Sequence, residues 1–189
     1  MDSPRRKTIQ HFNIEGHAHL LTFSCNQRKQ LLMDDVRLAL LSRCIDRAND
    51  IHDFQLIAFV YMPEHIHLLE YPRTPKSQVE KLLYAIKKPF SDKLKAELVR
   101  SKNPLLNTLT VRERPMKSSF RFWQQGPGHD RNMISVESCV KAAEYLHNNP
   151  MRRRLCASPD EWRWSSWKYY HVCNWAGDPS LPRVDGFPP

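Results

Sequence analysis

The chain has 189 residues, enough for one domain with a proper core and too few for two comfortable ones. A hydrophobic fraction of 41% with 5 tryptophans excludes a disordered chain, and no apolar stretch approaches the ~20 residues needed to span a bilayer. Lysine and arginine outnumber the acids 29 to 20, a net charge of +9 that suits a polyanion, nucleic acid before an acidic membrane surface.

Residues 1–16 read as a basic lead-in without the apolar core of a signal peptide, so a cytoplasmic protein is expected. The 5 scattered cysteines contain no CxxC pair and are expected as reduced thiols. HAHLLTFSC (17–25) is a strand by length and composition. An amphipathic helix follows over 34–50, with Val36, Leu40, Cys44 and Ala48 four apart beside Leu41 and Ile45. FQLIAFVY (54–61) and HIHLLEY (65–71) form a hairpin broken by Met62, Pro63 and Glu64. Ser77 and Glu80 have the spacing of a capping box opening a second helix, with Val79, Leu82, Leu83 and Ile86 inward and a kink or division expected at Pro89. Residues 101–119 read as a loop, FRFWQQ (120–125) as a strand ended by GPGHD. A third helix starts near Ile134, buries Val136, Cys139, Val140, Ala143 and Leu146, and stops at Pro150. The tail carries EWRWSSW and a Pro/Gly-rich end expected to be loosely ordered.

The order β-α-β-β-α-β fits an α+β fold, the ferredoxin-like split βαβ, an antiparallel sheet with helices on one face plus an extra C-terminal helix and tail. The expected organisation is a lead-in (1–16), a catalytic domain (17–150) and an Arg/Trp-rich tail (151–189).

Alternate strand residues share a face, so His65 and His67 project side by side, able to share a cation of intermediate softness or merely to sit on a solvated face. His17 and His19 have the same spacing, so spacing alone does not choose between the pairs. Tyr145 falls away from the apolar centre of the third helix, with Asn149 four residues on and above it. Asn149 is either a metal ligand or a C-terminal cap. Lys87, Lys88, Arg121 and the run Arg152, Arg153, Arg154 are candidate DNA-backbone contacts, each also readable as a solvated charge. Trp162, Trp164 and Trp167 could stack on bases, but docking the tail onto the core is the better reading.

PEHIHLL, YLHNNP and EWRWSSW together resemble the REP-associated tyrosine transposases, relatives of the single-tyrosine HUH transposases, over roughly His19 to Tyr170. The resemblance implies that His65, His67 and Asn149 bind a divalent metal (Mg²⁺ or Mn²⁺) and that Tyr145 is the nucleophile. It implies cleavage of single-stranded DNA beside a hairpin through a 5′-phosphotyrosine; monomer and homodimer both stand as readings of the assembly. After the tyrosine motif the family commonly has a glycine where this chain has Arg154, and WQQGPGHDRN is unusually rich in glycine and proline. Two other readings stand beside this one: a non-catalytic nucleic-acid-binding ferredoxin-like module, and a domesticated relative acting as nuclease or repressor. The first lacks the K/R-G-F-G-F-V-like segment of RNA-recognition domains. The second keeps the same catalytic set. A general base for Tyr145 is not identifiable, His147 pointing elsewhere.

Overall fold

The central strands of the sheet follow from two apolar runs that fill both of their faces. In the computed structural model, which describes residues 13–126 and 128–188, these are β2 (Phe54–Met62) and β3 (His65–Pro72), an antiparallel hairpin pairing Met62 with His65. β3 also pairs antiparallel with β1 (Ala18–Ser24), and β1 with the edge strand β6 (His129–Met133), giving the order β2-β3-β1-β6. Two helices, α1 (Asp35–His52) and α2 (Val79–Arg100), pack on each other and on one face. There Leu21, Phe23, Phe59, Tyr61, Ile66 and Leu68 meet Leu41, Ile45, Leu82 and Ile86 in the larger core. α4 (Val136–Arg152) covers the other face, where Val60, Met62 and Leu69 meet Cys139, Ala143 and Leu146. Burial on both faces explains why β2 and β3 read as nearly continuous apolar runs. The split βαβ arrangement with an appended helix is therefore the architecture observed.

Several sequence expectations are corrected. The fourth sheet strand is the polar HDRNM of β6, not FRFWQQ; Phe122 and Trp123 are apolar because they cross the edge of the larger core, Trp123 bridging Cys25. The loop expected at 101–119 holds a short helix α3 (Leu105–Leu109) and most of a hairpin, β4 (Thr110–Arg114) with β5 (Lys117–Phe120). α1 leaves Val36 exposed and buries Leu38 and Ser42 as well as Ile45. α2 runs through Pro89 without division. It is opened not by a Ser77/Glu80 box but by the Asn13 carbonyl, which accepts from Val79 N at 3.0 Å; Ser77 instead donates to Asp53 O at 3.0 Å. Val136 and Val140 of α4 face outward, their places in the core taken by Ala142 and His147.

Pro150 does not stop α4, which ends two residues later in a Schellman motif. Leu155 N donates to Pro150 O at 3.0 Å and Arg154 N to Met151 O at 2.9 Å, with Arg154 left-handed at φ 57°. The position where the family carries glycine is thus a left-handed one, occupied here by a residue with a Cβ.

The tail is fixed rather than loose. Trp162 Nε1 donates to Tyr61 O at 2.9 Å, Trp164 stacks on Tyr61, and Asp185 N donates to Leu56 O at 2.9 Å, so the tail covers the outer edge of β2. Trp167 instead stacks on His171 in the short helix α5 (Trp167–His171). Most of the basic lead-in lies outside the described residues. The 5 cysteines carry free thiols, and no described helix is long and apolar enough to cross a membrane.

Candidate metal and nucleophile site

Strand alternation points His65 and His67 toward α4, while Ile66 enters the opposite core. Their Nε2 atoms lie 3.0 Å apart, and the Asn149 amide, brought in by the last turns of α4, places Nδ2 3.0 Å from His67 Nε2. Rotation of that amide exchanges its nitrogen for its oxygen, so either can face the imidazoles. All three side chains are buried.

Each imidazole is held through its other nitrogen. His65 Nδ1 donates to Glu64 Oε1 at 3.1 Å, and His67 Nδ1 lies 2.7 Å from Thr22 Oγ1, its cross-strand partner on β1. A carboxylate can only accept, which leaves the His65 Nε2 lone pair directed at the shared point. This is the outer support typical of metal-binding histidines. Burial lowers the pKa of both imidazoles, against the opposing pull of Glu64, His67 reaching about 3. They are therefore neutral near pH 7, the form that binds metal.

The spacing also tests the fit of a metal. Two nitrogens about 2.1 Å from one ion are about 3.0 Å apart when the bonds meet at roughly a right angle, and about 3.4 Å at a tetrahedral angle. At 3.0 Å the two nitrogens are close enough to share one ion or to share a proton between them. One carboxylate oxygen beside the pair, Glu64 Oε2, is buried without a hydrogen-bond partner among the described residues. Among the described residues no group of three His, Cys, Asp or Glu is placed to hold a metal ion, here or elsewhere, so the set at this point is two imidazoles and one amide. Two imidazoles and an amide, with room for oxygen ligands, fit a divalent cation of intermediate softness.

Tyr145 stands on the same face of α4 as Asn149, half exposed, its ring centroid 6.0 Å from that of His67. Tyr145 and His67 line a cavity of about 430 Å³ together with His129, Arg131 and Lys141, the last paired with Glu137 at 2.6 Å. The Arg152 guanidinium lies 5.5 Å from the Tyr145 ring centroid. A phosphodiester entering here would meet the Tyr145 phenol, the His67 imidazole and the Arg131 guanidinium together.

The remaining sequence candidates are dispersed. Arg153, itself exposed, donates to the buried Glu64 Oε1 at 2.8 Å, tying the end of α4 to the turn before β3. Burial pushes the Glu64 carboxyl up, but the Arg153 hydrogen bond and the neighbouring charges outweigh it and leave its pKa lowered. Arg154 is exposed at the helix end. Arg121 is bound to Glu113 at 2.6 Å on the β4–β5 hairpin and Lys88 to Asp92, while Lys87 lies across the sheet from Tyr145, over Phe23. His19, of the competing pair, is fully buried and bound to Asp130 at 3.0 Å. His147 is buried and bonded to Ser166 Oγ at 2.8 Å, a contact that docks the tail.

Sequence reasoning missed Thr22, Glu64, His129, Arg131 and Lys141. Lys141 was readable, four residues before Tyr145 on one helix face. Glu64 adjoins the histidine pair, but its link to Arg153 spans 89 positions and carries no local signal. His129 and Arg131 were hidden with the polar edge strand that carries them.

The model of the family described as IS200-like transposases matches residues 13–126, which include the histidine strand and stop before α4. A solved structure described as the REP-associated tyrosine transposase bound to a REP hairpin superposes with a TM-score of 0.66 at 18% identity, covering 94% of this chain and 98% of that one. A Deinococcus radiodurans structure classed as a transposase reaches a TM-score of 0.44 at 18% identity, covering 78% of this chain and 97% of that one. No curated protein matches the sequence.

Proposed function

The chain belongs to the IS200-like transposase family, and on that premise we propose that it is a metal-dependent single-stranded DNA endonuclease and strand transferase with Tyr145 as nucleophile. The family makes it a DNA-processing enzyme. The observation that carries the finer reading is the convergence of His65, His67 and Asn149 within about 3.0 Å contacts beside Tyr145 at one basic cavity.

In this reading His65 and His67 give Nε2 and Asn149 its amide to a divalent cation. When bound, the cation polarises the scissile phosphate and stabilises its developing charge. Thr22 and Glu64 fix the imidazoles so that their lone pairs are set before the ion arrives. A free phenol ionises near pH ~10, so a neutral tyrosine is a weak nucleophile and gains most from cations around it. Arg152, its guanidinium 5.5 Å from the Tyr145 ring centroid, is placed to meet the approaching phosphate.

Tyr145 Oη attacks phosphorus, and the bond to the 3′ oxygen of the preceding nucleotide breaks. The phenol loses one proton and the departing 3′ oxygen gains one. A 5′-phosphotyrosine and a free 3′-hydroxyl remain, and attack by a 3′-hydroxyl on that ester rejoins DNA without an external energy source. The REP hairpin held by the similar structure motivates hairpin-forming repeat DNA as the substrate class.

The test is incubation with a library of single-stranded hairpin DNAs and Mn²⁺, followed by isolation of covalent protein–DNA adduct. The proposal expects an adduct that needs the metal and is lost in His65→Ala. Tight binding of hairpin DNA without any adduct would leave only the binding-module reading.

A further inference from the structure

A second, larger cavity of about 780 Å³ opens between α2 and the β4–β5 hairpin, on the α1–α2 side of the sheet and away from Tyr145. Its walls combine rings and cations. Tyr84 and Phe120 present aromatic surface with only the edge of the largely buried Trp123 behind them, and Lys87, Lys88 and Lys95 follow one another along α2. Two acids also line it: Asp92 is bound by Lys88, and Glu80 accepts from Asn13 Nδ2 at 3.3 Å. Tyr84 is 67% exposed, a large ring at the rim with little to cover it.

We propose that this cavity takes one unpaired nucleotide of the DNA strand being processed, its base against Tyr84, Phe120 and Trp123 and its phosphate at Lys87 and Lys95. The inference rests on the functional reading above and adds a subsite to it. Aromatic platforms beside cations are how sequence-tolerant single-strand sites hold successive nucleotides. A base stacked inside a duplex cannot enter such a cavity, whereas one beside a hairpin can. Lys87 suits the phosphate: its ammonium lies 4.6 Å from the Phe23 ring centroid and 3.5 Å from Gly126 O. Burial lowers its pKa to about 8, so an arriving anion favours its charged form.

The wall itself singles out a nucleotide: its three lysines outnumber its two acids and stand beside aromatic rings, so it can hold an anion and a base together. Trp123 bridges to Cys25, Gln124 N donates to Ser24 O at 2.8 Å, and His129 pairs with Thr22. Thr22 and His129 line the Tyr145 cavity, while Trp123 and Gly126 line this one. One short stretch running along β1 thus walls both cavities. Its close fit is set by Gly128 (φ 93°), where an added Cβ would lie 2.3 Å from Thr22 O.

The experiment is photocross-linking of the full chain to random-sequence single-stranded DNA carrying 5-iodouracil, in metal-free buffer so that no strand is cut. Cross-links mapped to Tyr84, Phe120 or Trp123, absent with the annealed duplex, are expected. Tyr84→Ala should weaken binding about fivefold or more. Tyr84 is exposed enough for that variant to fold, and Lys95→Ala is a second exposed probe that should also weaken binding. Cross-links confined to the Tyr145 cavity, with affinity unchanged in both variants, would overturn the subsite and leave the functional reading intact. Cross-links in the α2 cavity from a chain that never forms an adduct with metal would uphold the subsite and overturn Tyr145. Failure to retain any DNA overturns both.

Discussion

Glu64 shows how much of the site depends on a single side chain that does not itself complete it. Its Oε1 receives His65 Nδ1 and the Arg153 guanidinium, so one buried carboxylate orients a candidate ligand and anchors the helix that carries Tyr145. Glu64→Gln keeps the shape and removes the charge. Metal affinity should fall about 10- to 100-fold, the usual cost of losing an outer-shell partner, with little loss of fold. Calorimetric titration with Mn²⁺ checks this, and unchanged affinity would show Glu64 to be a structural ion-pair partner alone. Glu70, on the opposite face of β3, has a different part. It is fully buried, receives only a long 3.5 Å contact from Asn49 Nδ2, and burial raises its pKa well above the ordinary carboxylate value. The folded state therefore keeps the proton that the unfolded chain releases above about pH 4.3. Its contribution to stability is present at low pH and lost as pH rises from there toward the folded pKa. Glu70→Gln removes that dependence, so its melting temperature should exceed the parent's by a margin that widens from pH 5 to pH 8. A constant margin would refute the buried neutral acid. Taking the difference between the two chains cancels the buried histidines, whose depressed pKa values act in the opposite sense.

At the scale of the element, the end of α4 departs most from what its sequence favours. Arg154 adopts φ 57° to complete the Schellman motif, a conformation costing a residue with a Cβ about 1 kcal/mol or more. Arg154→Gly should raise the melting temperature by about 2–4 °C, less whatever glycine adds to the freedom of the unfolded chain. A drop on differential scanning calorimetry would mean that the Arg154 side chain makes a stabilising contact. The elements that could be read from sequence are those whose environment matches their pattern. β2 and β3 are apolar because helices cover both faces, and α1 begins where Asp34 caps it by accepting from Arg37 N at 2.9 Å. β6 could not be read this way. It is an edge strand whose His129 and Arg131 look into the open Tyr145 cavity rather than a closed core, so it lacks the apolar alternation that marks a half-buried strand. FRFWQQ misled for the converse reason, since Phe122 and Trp123 are buried in an irregular crossing. The histidine pair and the Tyr145–Asn149 pair were visible because each depends on a local period, two for the strand and about 3.6 for the helix. The contacts that join them, from Thr22 and Arg153, are long-range and had no such signature.

Over the whole molecule, the +9 charge is distributed unevenly with respect to the site. Arg153 is paired with Glu64, Arg121 with Glu113 and Lys141 with Glu137, while Arg131 lines the Tyr145 cavity and Arg152 stands over the ring. DNA binding should weaken steeply with salt, each neutralised phosphate adding roughly −0.7 to the log–log slope for a single strand. Replacing Arg131 and Arg152 by alanine should flatten that slope by about one unit or more, and Arg153→Ala should change it less, because its charge is already engaged. Equal effects from both sets would show that the Arg153–Glu64 ion pair opens when DNA binds. The account as a whole stands on Tyr145, and the most direct measurement is peptide mapping of the covalent adduct after nuclease trimming, in the parent chain and in Tyr145→Phe. The substitution removes one oxygen and keeps the ring beside His67 and Arg152, so fold and DNA binding should persist. The account predicts a nucleotide-bearing peptide that contains Tyr145 in the parent and no adduct in the variant. An adduct on Tyr61, Tyr84, Tyr169 or Tyr170, or undiminished cleavage by Tyr145→Phe, would contradict it.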